Sequence, residues 1–262
     1  HRIDDIQGVF TLDQTRIHIH ADSARTAGVQ LLAVDANIPD YLATRPVLEV
    51  TGAASGQLQT MVNYVNNTPV GGWIDNVIDE ARGSGNARLS LKMQIPLSDA
   101  SQTGVQGSVR FQGNEIQLWR ALPSVQNVSG EIGFSERGFQ LNGLQASFLG
   151  GSMLLSGGTQ KDGTTLVRAE GSVTVDGVVR GFNSAPIRRL AKKMTGSTRY
   201  SAQVRLRAQG PEITVDSTLA GLALDFPAPL GKAQPDAMPL RVGLSPLISA
   251  DPTVQQEEIR IN

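Results

Sequence analysis

His18 and His20 stand two residues apart, so an extended chain puts both imidazoles on one face. Two imidazoles in that arrangement can start a transition-metal site. Here no carboxylate or third histidine is tied to them by a motif, and Ile17 and Ile19 alternate with them. The pair is therefore read as the wet face of a strand, and no metal and no cofactor is expected.

Other chemistry is equally thin. The segment GGTQKDGTT looks like a phosphate loop, but Gly163 is followed by Thr164 where a Walker loop needs lysine. Asp162-Gly163 instead marks a hairpin connection. No G-x-S-x-G elbow and no H-E-x-x-H helix occurs. The third histidine is His1, so serine–histidine chemistry has almost nothing to work with. Carboxylate-only hydrolysis stays open in principle, but the acids fall mostly in turns or on outward faces. Arg188, Arg189, Lys192 and Lys193 cluster on one segment, which reads either as a solvated helix face or as a surface for anionic lipid headgroups. Asn66-Asn67-Thr68 and Asn127-Val128-Ser129 fit a glycosylation pattern that matters only in a eukaryotic secretory pathway, and nothing else points there.

The elements that would position such residues are mostly strands. Apolar residues alternate in short runs: Ile17, Ile19, Ala21; Leu89, Leu91, Met93; Val105, Val109, Phe111, then Ile116 and Leu118. Val128, Ile132 and Phe134 lead into an SERG turn, and Phe139 and Leu141 begin the return. Asn142-Gly143 is read as a further turn before Leu144, Ala146 and Phe148. Val167, Ala169, Val173 and Val175 lie on one face of a long strand, as do Val204 and Leu206 on another. Ile213, Val215 and Leu219 follow. After Gly221 the alternation shifts by one residue to Leu222, Leu224 and Phe226, which suggests a bulge. Three segments change to helical spacing, near 57–66, 72–82 and 186–195, the last with Pro186 in its first turn and Gly196 as a stop.

The bulk numbers agree with a β protein and exclude several classes. The 262 residues carry 23 basic and 24 acidic side chains, so there is no basic footprint for nucleic acid. Cysteine is absent, which removes disulfides and thiol catalysis. No apolar run reaches the length that spans a bilayer as a helix. The abrupt start at HRIDDIQ and the strand-like end EEIRIN raise the expectation of a piece of a longer protein.

Three stretches together resemble a known family. They are Gly83 to Trp119 (GSGNARLSLKMQIPLSDASQTGVQGSVRFQGNEIQLW), Leu122 to Gly158 (LPSVQNVSGEIGFSERGFQLNGLQASFLGGSMLLSGG) and Leu219 to Val242 (LAGLALDFPAPLGKAQPDAMPLRV). The third, with its Pro-x-Pro-Leu-Gly-Lys loop and returning PLRV, is the most specific. In this order they are similar to the central periplasmic region of the YhdP family, large AsmA-like envelope proteins of Gram-negative bacteria related more distantly to TamB. The likeness covers residues 51–245, is weaker over the N-terminal strands of 1–50, and leaves 246–262 as an extension.

The resemblance implies a mainly β fold, a long antiparallel meander curved into an open taco-like groove with about three short amphipathic helices. It implies a periplasmic, non-enzymatic role in moving phospholipids toward the outer membrane and supporting its permeability barrier. The inner-membrane anchor lies outside this sequence, and the outer-membrane partner is not indicated. Phospholipid acyl chains are the expected partners. Residues expected to line the apolar interior are Val128, Ile132, Phe134, Phe139, Leu141, Leu144, Phe148, Val173, Val175, Val204, Leu206, Leu222, Leu224 and Phe226. The alternation itself fits a closed β-sandwich as well as a groove. A scaffold that spaces two membranes without carrying lipid is the alternative reading.

Overall fold

A computed structural model describes residues 3–26, 28–67, 78–120, 122–207, 210–247 and 256–262. Among the described residues, sixteen strands make one open antiparallel sheet that does not close into a barrel. In chain order they begin with β1 (Asp4–Asp13), β2 (Arg16–Thr26), β3 (Val29–Ile38), β4 (Val47–Gln57), β5 (Arg82–Ser84), β6 (Asn86–Pro96) and β7 (Gly104–Gln117). Then come β8 (Val125–Ser135), β9 (Gly138–Phe148), β10 (Gly151–Thr159), β11 (Thr165–Thr174) and β12 (Met194–Arg207). The last are β13 (Gly210–Ser217), β14 (Leu222–Leu224), β15 (Leu240–Leu247) and β16 (Gln256–Ile261). Neighbours in the sheet follow chain order, except that β5 pairs with β7 and β14 with β12. Short hairpins can join most of these antiparallel neighbours, while a helix lies between β4 and β6 and two helices lie between β11 and β12.

The chain forms two compact units, His1–Leu118 with Ser129–Gln140 and Trp119–Val128 with Leu141–Asn262. In the first, Ala21, Ala54, Ala87, Val105 and Phe111 are buried on one side of the sheet. Helix α1 (Leu58–Asn66) packs there through Leu58, whose side chain lies against Gly83, and Gln59 Oε1 accepts a bond from the Gly83 amide at 2.9 Å. Asn114, only 1% exposed, ties β5 and β6 to β7. Its Nδ2 donates to the carbonyls of Ser84 (2.9 Å) and Asn86 (3.1 Å), and its Oδ1 accepts from the Gln112 amide (2.9 Å). A buried amide with its bonds made is compatible with the apolar surroundings.

In the second unit Leu141, Leu144, Met153, Ala169, Leu222 and Leu224 are buried. Two helices follow β11: α2 (Val175–Phe182) and α3 (Ala185–Ala191). Thr174 Oγ caps α2 by accepting from the Gly177 amide at 3.0 Å, and Ser184 Oγ caps α3 through Ile187 at 3.4 Å. Arg188 Nη1 donates to the carbonyl (3.0 Å) and Oδ1 (2.8 Å) of Asn183, the left-handed residue that ends α2.

Several sequence expectations change. The strand carrying Val173 stops at Thr174, and Val175 opens α2. Asn142-Gly143 is no turn, because β9 runs through it. Gly143 takes φ +71°, and the alternation slips there from Leu141 to Leu144, as at a bulge. Gly113 (φ +77°) has the same part in β7, joining Val105–Phe111 and Ile116 into one strand. At Gly221 the shift has another cause. The chain leaves β13 and forms β14 beside β12, with Gly196 opposite Leu222. Phe226 lies beyond the end of β14. Gly196 therefore belongs to a strand, and α3 ends at Ala191 with Met194 already in β12. The helix expected near 57–66 is α1. Of the one near 72–82, residues 72–77 lie outside the described residues, Ile78–Glu80 form a turn and Arg82 starts β5.

Candidate functional site

Antiparallel register aligns like residues from strand to strand, so each unit has one apolar and one polar face. In the second unit Gly157, Val167, Val204, Ile213 and Leu244 stand opposite one another across β10, β11, β12, β13 and β15. A parallel row holds Leu155, Ala169, Ala202, Val215 and Val242. The reverse face carries Ser156, Arg168, Gln203 and Thr214 in the same register. Most of the apolar row residues are half-buried. A core enclosed on all sides would bury them fully.

The first unit repeats the arrangement. Phe10, Ile19, Ala36, Val50, Met93 and Val105 form a row across β1, β2, β3, β4, β6 and β7. Their neighbours Val9, His20, Asp35, Thr51, Lys92 and Gln106 occupy the opposite face. Phe134 joins the apolar side by lying over Gly107, which has no side chain to obstruct the ring.

The fourteen residues expected to line an apolar interior divide by burial. Val128, Leu141, Leu144, Leu222 and Leu224 are buried, and Val128 is only 1% exposed. Ile132, Phe134, Phe139, Phe148, Val173, Val175, Val204, Leu206 and Phe226 are half-buried. Leu206 sits at the end of its row, beside a Thr159–Thr165 hydroxyl contact of 3.2 Å on the neighbouring strands.

Three of them, Val173, Val175 and Leu222, meet around a cavity of about 160 Å³. Val178, Ile187, Leu190, Ala191 and Met194 complete the apolar part of its wall, and Thr174 is the polar member. The Thr174 hydroxyl is engaged in capping α2, so the wall is effectively hydrocarbon. A cavity near 150 Å³ with such a lining holds a benzene-sized group. Sequence reading found only part of this wall because it assigned Val175 to a strand. The signal was present: Val175, Val178, Val179 and Phe182 fall at i, i+3, i+4 and i+7 behind the threonine cap.

A largely buried phenol interrupts the second unit's apolar face. Tyr200 lies across Gly171, and burial pushes its phenol up to about 12. Its hydroxyl has no hydrogen-bond partner among the described residues. It stays neutral and does no acid–base work near neutral pH.

The histidine pair is on the polar face, as expected. His18 Nε2 (3.1 Å) and His20 Nδ1 (2.8 Å) both donate to Asp35 Oδ1. The bond to Asp35, reinforced by its charge, raises the His20 pKa above 6.5, and the same bond lowers that of Asp35 below 3.8. Asp35 is the partner that sequence reading missed, since only the β2–β3 register brings it alongside. Among the described residues no group of three or more His, Cys, Asp or Glu is arranged to hold a metal. No helix among them is long and apolar enough to cross a membrane.

The family model described as YhdP protein matches residues 1–257, including the first fifty residues, where the sequence likeness is weaker. Searches of curated proteins and of solved structures found no match. The chain belongs to the YhdP family, a transport-type family of cell-envelope proteins not known for enzymatic activity.

Proposed function

We propose that this chain is a non-enzymatic, lipid-conducting segment that presents an apolar β face to phospholipid acyl chains in the periplasm. The observation that carries the reading is the set of half-buried, register-aligned aliphatic rows, such as Val167, Val204, Ile213 and Leu244, backed by a polar face. Burying a methylene is worth about 0.8 kcal/mol, so a fully buried sixteen-carbon chain would gain roughly 13 kcal/mol and leave slowly. Half-covered rows capture only part of that. Equivalent side chains recur on each strand at about 4.8 Å, so a hydrocarbon moves from one to the next at little change in free energy. In the whole protein such a face would carry lipid between the membranes and support the outer-membrane barrier.

The test is lipid extraction and native mass spectrometry of the purified chain, with Ile132→Glu and Val204→Glu as variants. The reading expects phospholipid to co-purify with the wild type and to be lost from well-folded variants. A lipid-free wild type would favour the scaffold reading. Variants that keep their lipid would place it away from this face.

A further inference from the structure

From Gly177 to Pro211 the sequence holds eight arginines and lysines and no aspartate or glutamate, in a chain whose formal net charge is only -1. Five of these cations lie on or directly after the α2–α3 hairpin: Arg180, Arg188, Arg189, Lys192 and Lys193. Two are engaged, Arg188 with Asn183 and Lys193 with Asp225 at 3.1 Å. Arg180, Arg189 and Lys192 are exposed with no ion-pair partner among the described residues. Helical spacing separates the two sides of α3. Ile187, Leu190 and Ala191 face the cavity, whereas Arg189 projects from the opposite side and Lys192 continues that side beyond its end. Two large apolar side chains stand among the cations, Phe182 at 39% and Leu190 at 54% exposure.

We infer that the α2–α3 hairpin docks on an anionic phospholipid bilayer. A cationic surface with apolar side chains at its border matches a layer of phosphate groups over hydrocarbon. Leu190 has a double position, because it lines the cavity and is also more than half exposed. It marks the cavity mouth, so docking would bring an apolar recess to the leaflet surface. The inference rests on the lipid-conduction reading for the identity of its partner and adds a membrane contact to it.

The experiment is flotation of the purified chain with vesicles containing phosphatidylglycerol, against pure phosphatidylcholine vesicles of the same acyl chains, at low and high salt. Expected is binding to the phosphatidylglycerol vesicles that weakens with salt. Removing both charges in an R189Q/K192Q variant should weaken it roughly thirtyfold, taking about 1 kcal/mol per cation near the surface. Both residues are exposed, so an unchanged melting temperature certifies the fold. No binding, equal binding to phosphatidylcholine, an unaffected variant, or equally tight binding to a short DNA duplex would each overturn the inference.

Lipid content measured on the same samples separates the two readings. A wild type that carries lipid but ignores anionic vesicles removes the docking inference alone. One that docks but carries no lipid removes the conduction reading alone.

Discussion

The Lys232 ammonium donates to the main-chain carbonyl of Leu222, ten residues back along the chain. It also donates to the carbonyls of Asp236 (2.9 Å) and Ala233 (3.3 Å). The backbone of Lys232 meanwhile pairs with Leu224 in both directions, at 2.9 and 3.1 Å. This is the lysine of the Pro-Leu-Gly-Lys loop, and its bonds give that stretch a structural purpose. It fastens the loop to β14, which supplies Leu222 to the cavity wall. A hydrogen bond from a charged donor contributes about 1.5–3 kcal/mol, and Lys232 is half-buried. Lys232→Met should therefore destabilise the protein by about 1–3 kcal/mol, read as a lower denaturation midpoint. A midpoint equal to that of the wild type would show the three carbonyl bonds to be dispensable.

Gly177 lies in the first turn of α2, where alanine is normally the better helix former by about 1 kcal/mol. A Cβ at this position would overlap the carbonyl oxygen of Leu149. That obstacle is backbone at the β9–β10 connection, not a side chain that could turn aside. Overpacking typically costs about 1–3 kcal/mol and outweighs the propensity gain. Gly177→Ala is expected to lower the calorimetric melting temperature, and a rise would show that the connection yields freely.

Asn114→Ala would leave two carbonyls and one amide unpaired in a site from which water is almost excluded. The expected loss is about 2–4 kcal/mol by chemical denaturation. Hydrogen exchange should also accelerate at the β5–β7 amides, which the side chain holds in register. A uniform change across the protein would argue against this local role.

The His20–Asp35 pair makes a signed prediction. Folded His20 titrates above 6.5, so its charged form stabilises the fold below that pH, and the contribution is lost as pH rises through the folded value. Asp35 titrates below 3.8, so its contribution is present above that pH and is lost as pH falls through its folded value. The pair is therefore strongest between the two. An NMR titration of the His20 ring should give a midpoint above 6.5, and Asp35→Asn should bring it down. Both side chains are partly exposed, at 40% and 41%, so solvent screens the pair and the effect on overall stability is small.

Val204 occupies the middle of a five-strand aliphatic row and is half-buried. Glutamate there can reach water in the free protein but would be desolvated beneath an acyl chain. Val204→Glu should reduce co-purifying phospholipid several-fold with little change in melting temperature. Retained lipid at native stability would count against the row as the binding face.

What the sequence determined by itself is the period of two. Alternation decides which side chains share a face, because successive residues in an extended chain point to opposite sides whatever pairs with them. It sufficed for the meander, for the apolar and polar faces, and for placing His18 and His20 on the wet side. Helix α3 was equally legible, since Pro186 and the spacing of Ile187, Leu190 and Ala191 are local signals. Tertiary structure decided the rest. Slips of phase look alike in sequence, yet Gly143 is a bulge within one strand, whereas Gly221 separates β13 from β14, two strands that pair with different stretches of β12. Val175 obeys both periods, and the capping hydroxyl of Thr174, together with the close approach of the Leu149 backbone that only a residue without a Cβ allows at Gly177, selects the helix. Local spacing marks the two helices of the cavity wall but not the cavity. It is built from α2, α3 and three strands brought together by pairing between distant residues, which local spacing does not encode.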